Sequence, residues 1–162
     1  MPTLSDDLRE ELAAIAPGNE CDRLAELSGL FHVAGRAHLR GRGSVDVHLD
    51  VSSSTVARRA FALLRAAGVR SEIRTYPRRA FDRATRYQLH IEGSEDAYAT
   101  LHRAGVLDRS HRPLGLPPRR VVGRRCCGAA YLRGALLGSG TLSGPRASKV
   151  QILTYCIKQD QL

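Results

Sequence analysis

The sequence contains very little lysine, and its charge is unbalanced. Only Lys149 and Lys158 are lysines among 25 basic side chains, which face 16 acidic ones and leave a net charge of +9. Lysine is normally a common residue, so its near absence indicates a codon preference, and only the sign of the charge is informative. A positive surface favours polyanions, chiefly nucleic acid or an anionic membrane face. The alternative is a soluble protein that is arginine-rich through genome composition alone.

Signals for export or membrane insertion are absent from the sequence. The first residues, Met1–Asp7, contain neither a cationic stretch nor an apolar core, so they do not form a signal peptide. No uninterrupted apolar run approaches the roughly 20 residues that a membrane-spanning helix needs. We therefore expect a cytoplasmic protein with no membrane partner.

The four cysteines contain no CxxC pair; they are Cys21, Cys126, Cys127 and Cys156. Adjacent cysteines such as Cys126 and Cys127 cannot form an ordinary unstrained disulfide, and no partners are spaced along the chain for metal ligation. We therefore expect reduced thiols that serve mainly in packing, with no metal and no cofactor.

Hydrophobic periodicity predicts an α+β fold in the order αββαββα, with an antiparallel sheet covered on one face by helices. A preceding helix is expected at Asp6–Ile15. The αββαββα elements are expected at Arg23–Ala34, Arg36–Arg40, Val45–Val51, the stretch between Ser52–Ser54 and Gly68, Val69–Tyr76, Thr85–Glu92 and Glu95–Ala104.

The chain beyond residue 106 changes character. Leu107–Arg120 is rich in proline and arginine and is typical of a linker, and another small-residue helix is expected at Gly128–Leu137. The predicted division is therefore an N-terminal helix (1–20), a first unit (21–106), a linker (107–126), the start of a second unit (127–148) and an atypical tail (149–162).

Two of the predicted helices resemble each other. Leu27–Gly35 and Leu132–Gly140 both place a glycine six residues before a closing glycine, and both run into a strand-like segment. Such a repeat implies two pseudo-symmetric halves. Glycine and serine would allow the backbones of the two helices to approach closely and cross.

Each of these segments resembles a LAGLIDADG helix of the homing endonucleases. In that family each helix ends in a carboxylate before the final glycine, and the two carboxylates share a metal site that activates water. The matching positions here are Ala34 and Ser139, and neither can replace a carboxylate. The resemblance therefore implies a degenerate nuclease fold, and we expect the chain not to be an enzyme.

More specifically, the chain resembles the WhiA family of bacterial regulators. The segments that carry this resemblance are Asp7–Ala13, Cys21 with Ala25–Leu30, Leu116–Pro118, and Tyr131–Ala135 with Gly138–Gly140. The resemblance implies a nucleoid-associated, DNA-binding transcription regulator that acts in sporulation, cell division or chromosome segregation. Members carry a complete second half and a helix-turn-helix, so we expect a truncated chain whose tail arose from a shifted reading frame or a disrupted gene. An unstable, functionless fragment is a further alternative.

Strand alternation would place polar side chains on the sheet face that points away from the helices, and the resemblance places this face in the DNA major groove. The candidate DNA-binding residues are Arg36, Arg40, Arg74, Tyr76, Arg86 and Gln88 on the strands and Arg78, Arg79 and Arg83 in a loop. Asp46, Asp50 and Glu72 on the same face would oppose phosphate. The alternative is a module that holds a small ligand or a partner protein, such as RNA polymerase or a sigma factor, while the missing helix-turn-helix binds DNA.

Overall fold

The computed structural model describes residues 3–79, 84–141 and 151–152. The helices are α1 (Leu4–Ala14), α2 (Glu20–Ala34), α3 (Ser54–Ala66), α4 (Glu95–Arg103), α5 (Arg119–Val122) and α6 (Arg125–Ser139). The strands are β1 (Gly35–Leu39), β2 (Val45–Val51), β3 (Ser71–Pro77), β4 (Thr85–Ile91), β5 (Gly140–Thr141) and β6 (Gln151–Ile152). The predicted order αββαββα is confirmed by α2 to α4.

The first four strands form one antiparallel sheet in the order β1-β2-β4-β3. Its register aligns Arg36, His48, His90 and Glu72 in one row across the sheet. Residues that are opposite each other in a sheet project from the same face, so polar side chains from all four strands share the face away from the helices.

The helix-facing side of the sheet carries the main core. Alternate residues of β2 are buried from Val45 to Val51, and they pack with Leu30 and Phe31 of α2 and with Leu64 of α3. Burying such side chains removes apolar surface from water, which is the main stabilising contribution to the fold.

Two large apolar residues at the ends of these elements are exposed. Leu39 is 46% exposed because it ends the edge strand beside an exposed turn, and Ile15 is 47% exposed because α1 ends one residue before it. Helix α1 also begins earlier than predicted, since Thr3 and Asp6 form a capping box that fixes its start at Leu4.

The segment predicted as a linker at 107–126 is structured along most of its length. Leu107 is fully buried and forms a β-bridge with Pro113, while Val121 of α5 is buried against Ala25 and Cys127. These apolar side chains anchor the two ends of the proline-rich stretch, whereas Leu116 between them is 81% exposed. Among the described helices, none has both the length and the apolar character to cross a membrane.

Candidate nucleic-acid interface

Helices α2 and α6 cross in direct backbone contact. A Cβ atom built at Gly29 would lie 2.1 Å from the carbonyl oxygen of Tyr131, and one built at Gly134 would lie 2.0 Å from that of Glu26. Real Cβ atoms do not approach oxygen so closely, so the crossing requires glycine at both positions. The two glycines are 105 positions apart, and so are Glu26 and Tyr131. The crossing therefore has the pseudo-twofold symmetry that the repeat predicts.

The C-terminal ends of the two crossing helices open into a cleft of about 470 Å³. Ala34 and Ser139, the positions that match the carboxylates of the nucleases, both line it. The other lining residues are Arg9, Val33, Gly35, Arg36, Asp50, Ser52, Arg78, Arg86 and Gly138.

The electrostatic character of this cleft is set by four arginines. They come from α1 (Arg9), β1 (Arg36), the residue after β3 (Arg78) and β4 (Arg86), and among the described lining residues Asp50 is the only carboxylate. Magnesium needs several oxygen ligands and is repelled by guanidinium groups. This donor set does not fit the metal pair of the nucleases, whereas it does fit an anion such as phosphate.

Asp50 is already engaged by its neighbours within the sheet. The Tyr76 hydroxyl donates a hydrogen bond of 2.8 Å to it, and Arg36 forms an ion pair with it at 3.5 Å. His48 Nε2 lies 3.3 Å from the same carboxylate. Burial tends to raise the pKa of Asp50, but the hydrogen bonds from His48 and Tyr76 outweigh it and hold the pKa below its usual value of 3.8. Asp50 therefore stays ionised and offsets part of the charge of the cleft.

The remaining predicted site residues are distributed over the polar sheet face. Arg74 pairs with Glu72 at 2.8 Å, and Arg40 forms an ion pair with Asp46, so both arginines lie outside the cleft with an acidic partner. Gln88 lies between Asp50 and Arg74 in the sheet register. Arg79 is exposed, and Arg83 lies outside the described residues. The structure thus brings Arg36, Arg78 and Arg86 together at the cleft, where Tyr76 contacts Asp50, and it places Arg40 and Arg74 outside the cleft.

The sequence reasoning missed Arg9, which joins the cleft from α1. Its guanidinium donates a hydrogen bond of 2.8 Å to the carbonyl of Gly140, the closing glycine of the second small-residue segment. It also forms an ion pair with Asp6 at 3.1 Å. Nothing in the local pattern of α1 reveals this contact, since the two partners are far apart in the sequence.

A fully buried carboxylate at the helix crossing was also missed. Glu26 of α2 is 0% exposed and receives hydrogen bonds from Arg59 of α3, at 2.9 and 3.2 Å, and from Arg133 of α6, at 2.8 and 3.0 Å. A carboxylate bound by two guanidinium groups satisfies its lone pairs without water. The cluster therefore joins α2, α3 and α6 at the crossing.

At the opposite ends of α2 and α6 the structure gathers three cysteines and an aspartate. One ligand atom from each of Cys21, Asp22, Cys126 and Cys127 lies within 4.8 Å of all the others. The expectation of no metal ligation rested on spacing along the chain, and the crossing supplies the partners that this spacing lacks. Burial, together with the neighbouring thiols and Asp22, raises the pKa of Cys127 to about 12.

The αββαββα unit and the paired small-residue helices define a LAGLIDADG-type domain. The family model described as the WhiA N-terminal LAGLIDADG-like domain matches residues 20–107, more than half of the chain. The chain therefore belongs to the WhiA N-terminal LAGLIDADG-like domain family.

Curated relatives and solved structures agree with this assignment. The probable cell division protein WhiA of Heliobacterium modesticaldum is 30% identical over 154 residues, which cover 94% of this chain and 48% of the relative. The protein of the same name from Clavibacter michiganensis subsp. michiganensis is 39% identical over 150 residues, which cover 90% of this chain and 44% of the relative. The chain thus spans about half the length of these relatives.

Two crystal structures share the fold. The N-terminal LAGLIDADG domain of DUF199/WhiA gives a TM-score of 0.61 over 90% of this chain and 63% of its own. Full-length DUF199/WhiA from Thermatoga maritima gives a TM-score of 0.59 over 90% of this chain and 42% of its own. Both are 19% identical to this chain, so they establish the fold alone.

Proposed function

We propose that this chain is a non-catalytic module of a transcription regulator, which binds double-stranded DNA and acts in cell division, chromosome segregation or sporulation. The observation that carries the proposal is the arginine-lined cleft at the two positions where the related nucleases hold carboxylates. The name of the relatives, probable cell division protein, supports the cellular process. Association with the nucleoid follows from the same proposal.

DNA would bind mainly through its backbone. Arginine presents a planar fork of donors that matches two phosphate oxygens, so the guanidinium groups of Arg78 and Arg86 can hold a phosphate at the mouth of the cleft. Gln88 and the histidines of the sheet face would lie towards the groove, where side-chain amides can read adenine. The phosphate contacts would supply the affinity, and the sheet would supply the orientation.

The absence of catalysis follows from the same residues. Hydrolysis of a phosphodiester by this fold requires carboxylates that hold metal ions near an attacking water. Ala34 offers no ligand oxygen in its side chain, Ser139 offers only a hydroxyl, and Asp50 is held by cationic and phenolic partners. The cleft can therefore bind a phosphate without activating water against it.

The proposal is tested by fluorescence anisotropy of labelled duplex DNA with the full chain at several salt concentrations. The double variant Arg78→Gln/Arg86→Gln should lower the affinity by about tenfold or more at low salt. It should also reduce the slope of log affinity against log salt by roughly 0.9 for each phosphate that the protein no longer neutralises.

The matched control is Arg58→Gln/Arg65→Gln, which removes the same charge from exposed positions on α3. A folded wild-type chain that binds no duplex at low salt would refute the proposal. Equal losses of affinity in the two double variants would show that only the net charge matters, and would equally refute a cleft-centred site.

A second candidate, a protein-interaction module, is favoured by the paired charges on the sheet face. Because Arg40 and Arg74 each have an acidic partner, much of this face is close to neutral and resembles a polar protein interface. The partner would be RNA polymerase or a sigma factor. Pull-down with the variant Arg74→Glu/Arg86→Glu separates the candidates, since loss of DNA binding supports the first and loss of protein capture alone supports the second.

A further inference from the structure

The side-chain cluster at the N-terminal ends of α2 and α6 has the composition of a thiolate metal centre. Its members occupy the first turn of each helix, with Cys21 and Asp22 on α2 and Cys126 and Cys127 on α6. Cysteine thiolates together with one harder ligand are a donor set that zinc prefers and that magnesium and calcium do not.

We propose that Cys21, Asp22, Cys126 and Cys127 bind one zinc ion that joins the two crossing helices at their N-terminal ends. Tetrahedral zinc holds its sulfur ligands at about 2.3 Å, which places neighbouring sulfur atoms about 3.8 Å apart. The Sγ atoms of Cys126 and Cys127 are 3.9 Å apart, and Cys21 Sγ lies 3.8 Å from Asp22 Oδ1. The four side chains therefore need little movement to enclose the ion.

The surrounding backbone favours the negative charge that such a centre carries. Three thiolates and one carboxylate around a divalent ion leave a net charge of −2. The positive ends of two helix dipoles point at this charge. The N-cap residues Asn19 and Arg124 make no side-chain capping bonds to these helix ends, so the first-turn N–H groups remain available to the sulfur atoms.

The positions of the four ligands follow the symmetry of the crossing. Cys21 and Cys126 are 105 positions apart, as are Asp22 and Cys127 and the two crossing glycines, Gly29 and Gly134. Each half thus contributes one equivalent pair, and the ion would lie on the pseudo-twofold axis. Four protein ligands leave no open coordination position, which is typical of structural zinc.

The ion would act at a distance from the cleft. Cys21 and Ala34 are thirteen residues apart on one helix, which corresponds to about 20 Å along its axis. By fixing the starts of α2 and α6, zinc would fix the angle at which their ends open into the arginine-lined cleft. This role is structural, and it holds whether or not the cleft binds DNA.

The test is metal analysis of the full chain, purified without chelators and with a phosphine reductant. Inductively coupled plasma mass spectrometry should find one zinc per chain. Replacement by Co²⁺ should give the intense visible bands of tetrahedral cobalt and a sulfur-to-cobalt charge-transfer band. Removal of the metal should lower the midpoint of thermal unfolding.

Variants assign the ligands. Cys21→Ser and Cys126→Ser should each weaken zinc binding at least tenfold in competition with a chromophoric chelator, and Asp22→Asn should also weaken it. Circular dichroism checks that each variant is folded; Cys126 is exposed, so its replacement leaves the core intact. The control Glu20→Gln removes a neighbouring carboxylate outside the cluster and should keep full zinc content.

Two outcomes would overturn the proposal. One is a folded chain with fully reduced thiols that binds neither zinc nor cobalt stoichiometrically. A chain that is purified with a disulfide counts in the same way if it still binds neither metal after reduction. The other is unchanged zinc affinity in both Cys21→Ser and Cys126→Ser.

Discussion

Gly29 and Gly134 lie where the backbones of helices α2 and α6 come into contact, and each glycine faces the backbone of the other helix. The space for a Cβ atom at Gly29 is taken by the carbonyl of Tyr131, and the space at Gly134 is taken by the carbonyl of Glu26. Backbone atoms cannot move aside as the tip of a flexible side chain can. The two pseudo-symmetric helices therefore meet at a backbone contact that leaves no room for a Cβ atom at either glycine.

Gly29→Ala and Gly134→Ala should each destabilise the fold by about 3 kcal/mol or more, because an added methyl group forces the helices apart. Urea unfolding followed by circular dichroism measures this loss of stability. Gly18→Ala is the matched control, since nothing lies within 4 Å of its Cβ position, and it should be neutral or slightly stabilising. A Gly29→Ala variant as stable as the wild type would show that the helices do not cross in this way.

The buried carboxylate of Glu26 should be as sensitive as the glycines. Glu26→Gln leaves the largely buried guanidinium groups of Arg59 and Arg133 without their anion, and breaking such a cluster typically costs about 3–5 kcal/mol. Glu92→Gln removes a carboxylate from an exposed ion pair with Arg70 and should cause little change. Comparable urea midpoints for the two variants would contradict the role given to Glu26.

His32 should make stability fall at mildly acidic pH. Its ring is buried, with Nδ1 3.3 Å from both Ser28 Oγ and Tyr131 Oη, and burial lowers its pKa from the usual 6.5. The unfolded chain therefore takes up a proton at this histidine more readily than the folded chain does. The free energy of unfolding has its full value above about pH 6.5, and it falls as the pH drops from there towards the pKa of His32 in the folded chain.

Unfolding experiments between pH 5 and 8 measure this slope. His32→Gln should flatten the pH profile, and His90→Gln on the polar sheet face serves as the matched histidine control. A stability that rises as the pH falls below 6.5 in the wild type but not in His32→Gln would reverse the assigned direction.

Restoring the lost carboxylates should weaken DNA binding. The double variant Ala34→Asp/Ser139→Asp places two negative charges among the arginines of the cleft, which should lower duplex affinity about tenfold at low salt. Ala34→Asn/Ser139→Asn adds side chains of the same size without charge and is the control. Equal affinities for these two double variants would place the DNA elsewhere, and Mg²⁺-dependent nicking by the wild type would exclude a non-catalytic role.

The secondary structure was largely predictable because it depends on local patterns. Alternation along Val45–Val51 identifies a half-buried strand, and the structure buries alternate residues of that strand. Ser53 and Gly68 mark the ends of α3, since Ser53 accepts a bond from the Val56 amide and Gly68 has a φ of +77°. Leu39 shows the limit of this reasoning. Periodicity assigns a residue to one face of the sheet, but it does not tell whether a helix covers that part of the face.

The candidate site was predicted only in part. Ala34 and Ser139 follow from a repeated motif, and the structure places both at one cleft. Arg9 and Glu26 carry no sequence signal, because their partners come from elements that meet only when α2 and α6 cross. The nine DNA-binding candidates stay a prediction.

The sequence by itself determined the order of the elements, the polar and apolar faces of the sheet, and the two glycine-bearing helices, because each depends on neighbours within a few residues. Only the tertiary structure decided which charges act together: it gathered arginines from α1, β1, β4 and the loop after β3 at one cleft and paired Arg40 and Arg74 with acids elsewhere. It also brought Cys21 close to Cys127. Electrostatic and ligand contacts depend on distances of a few ångströms, and packing sets these distances between residues that the chain keeps far apart.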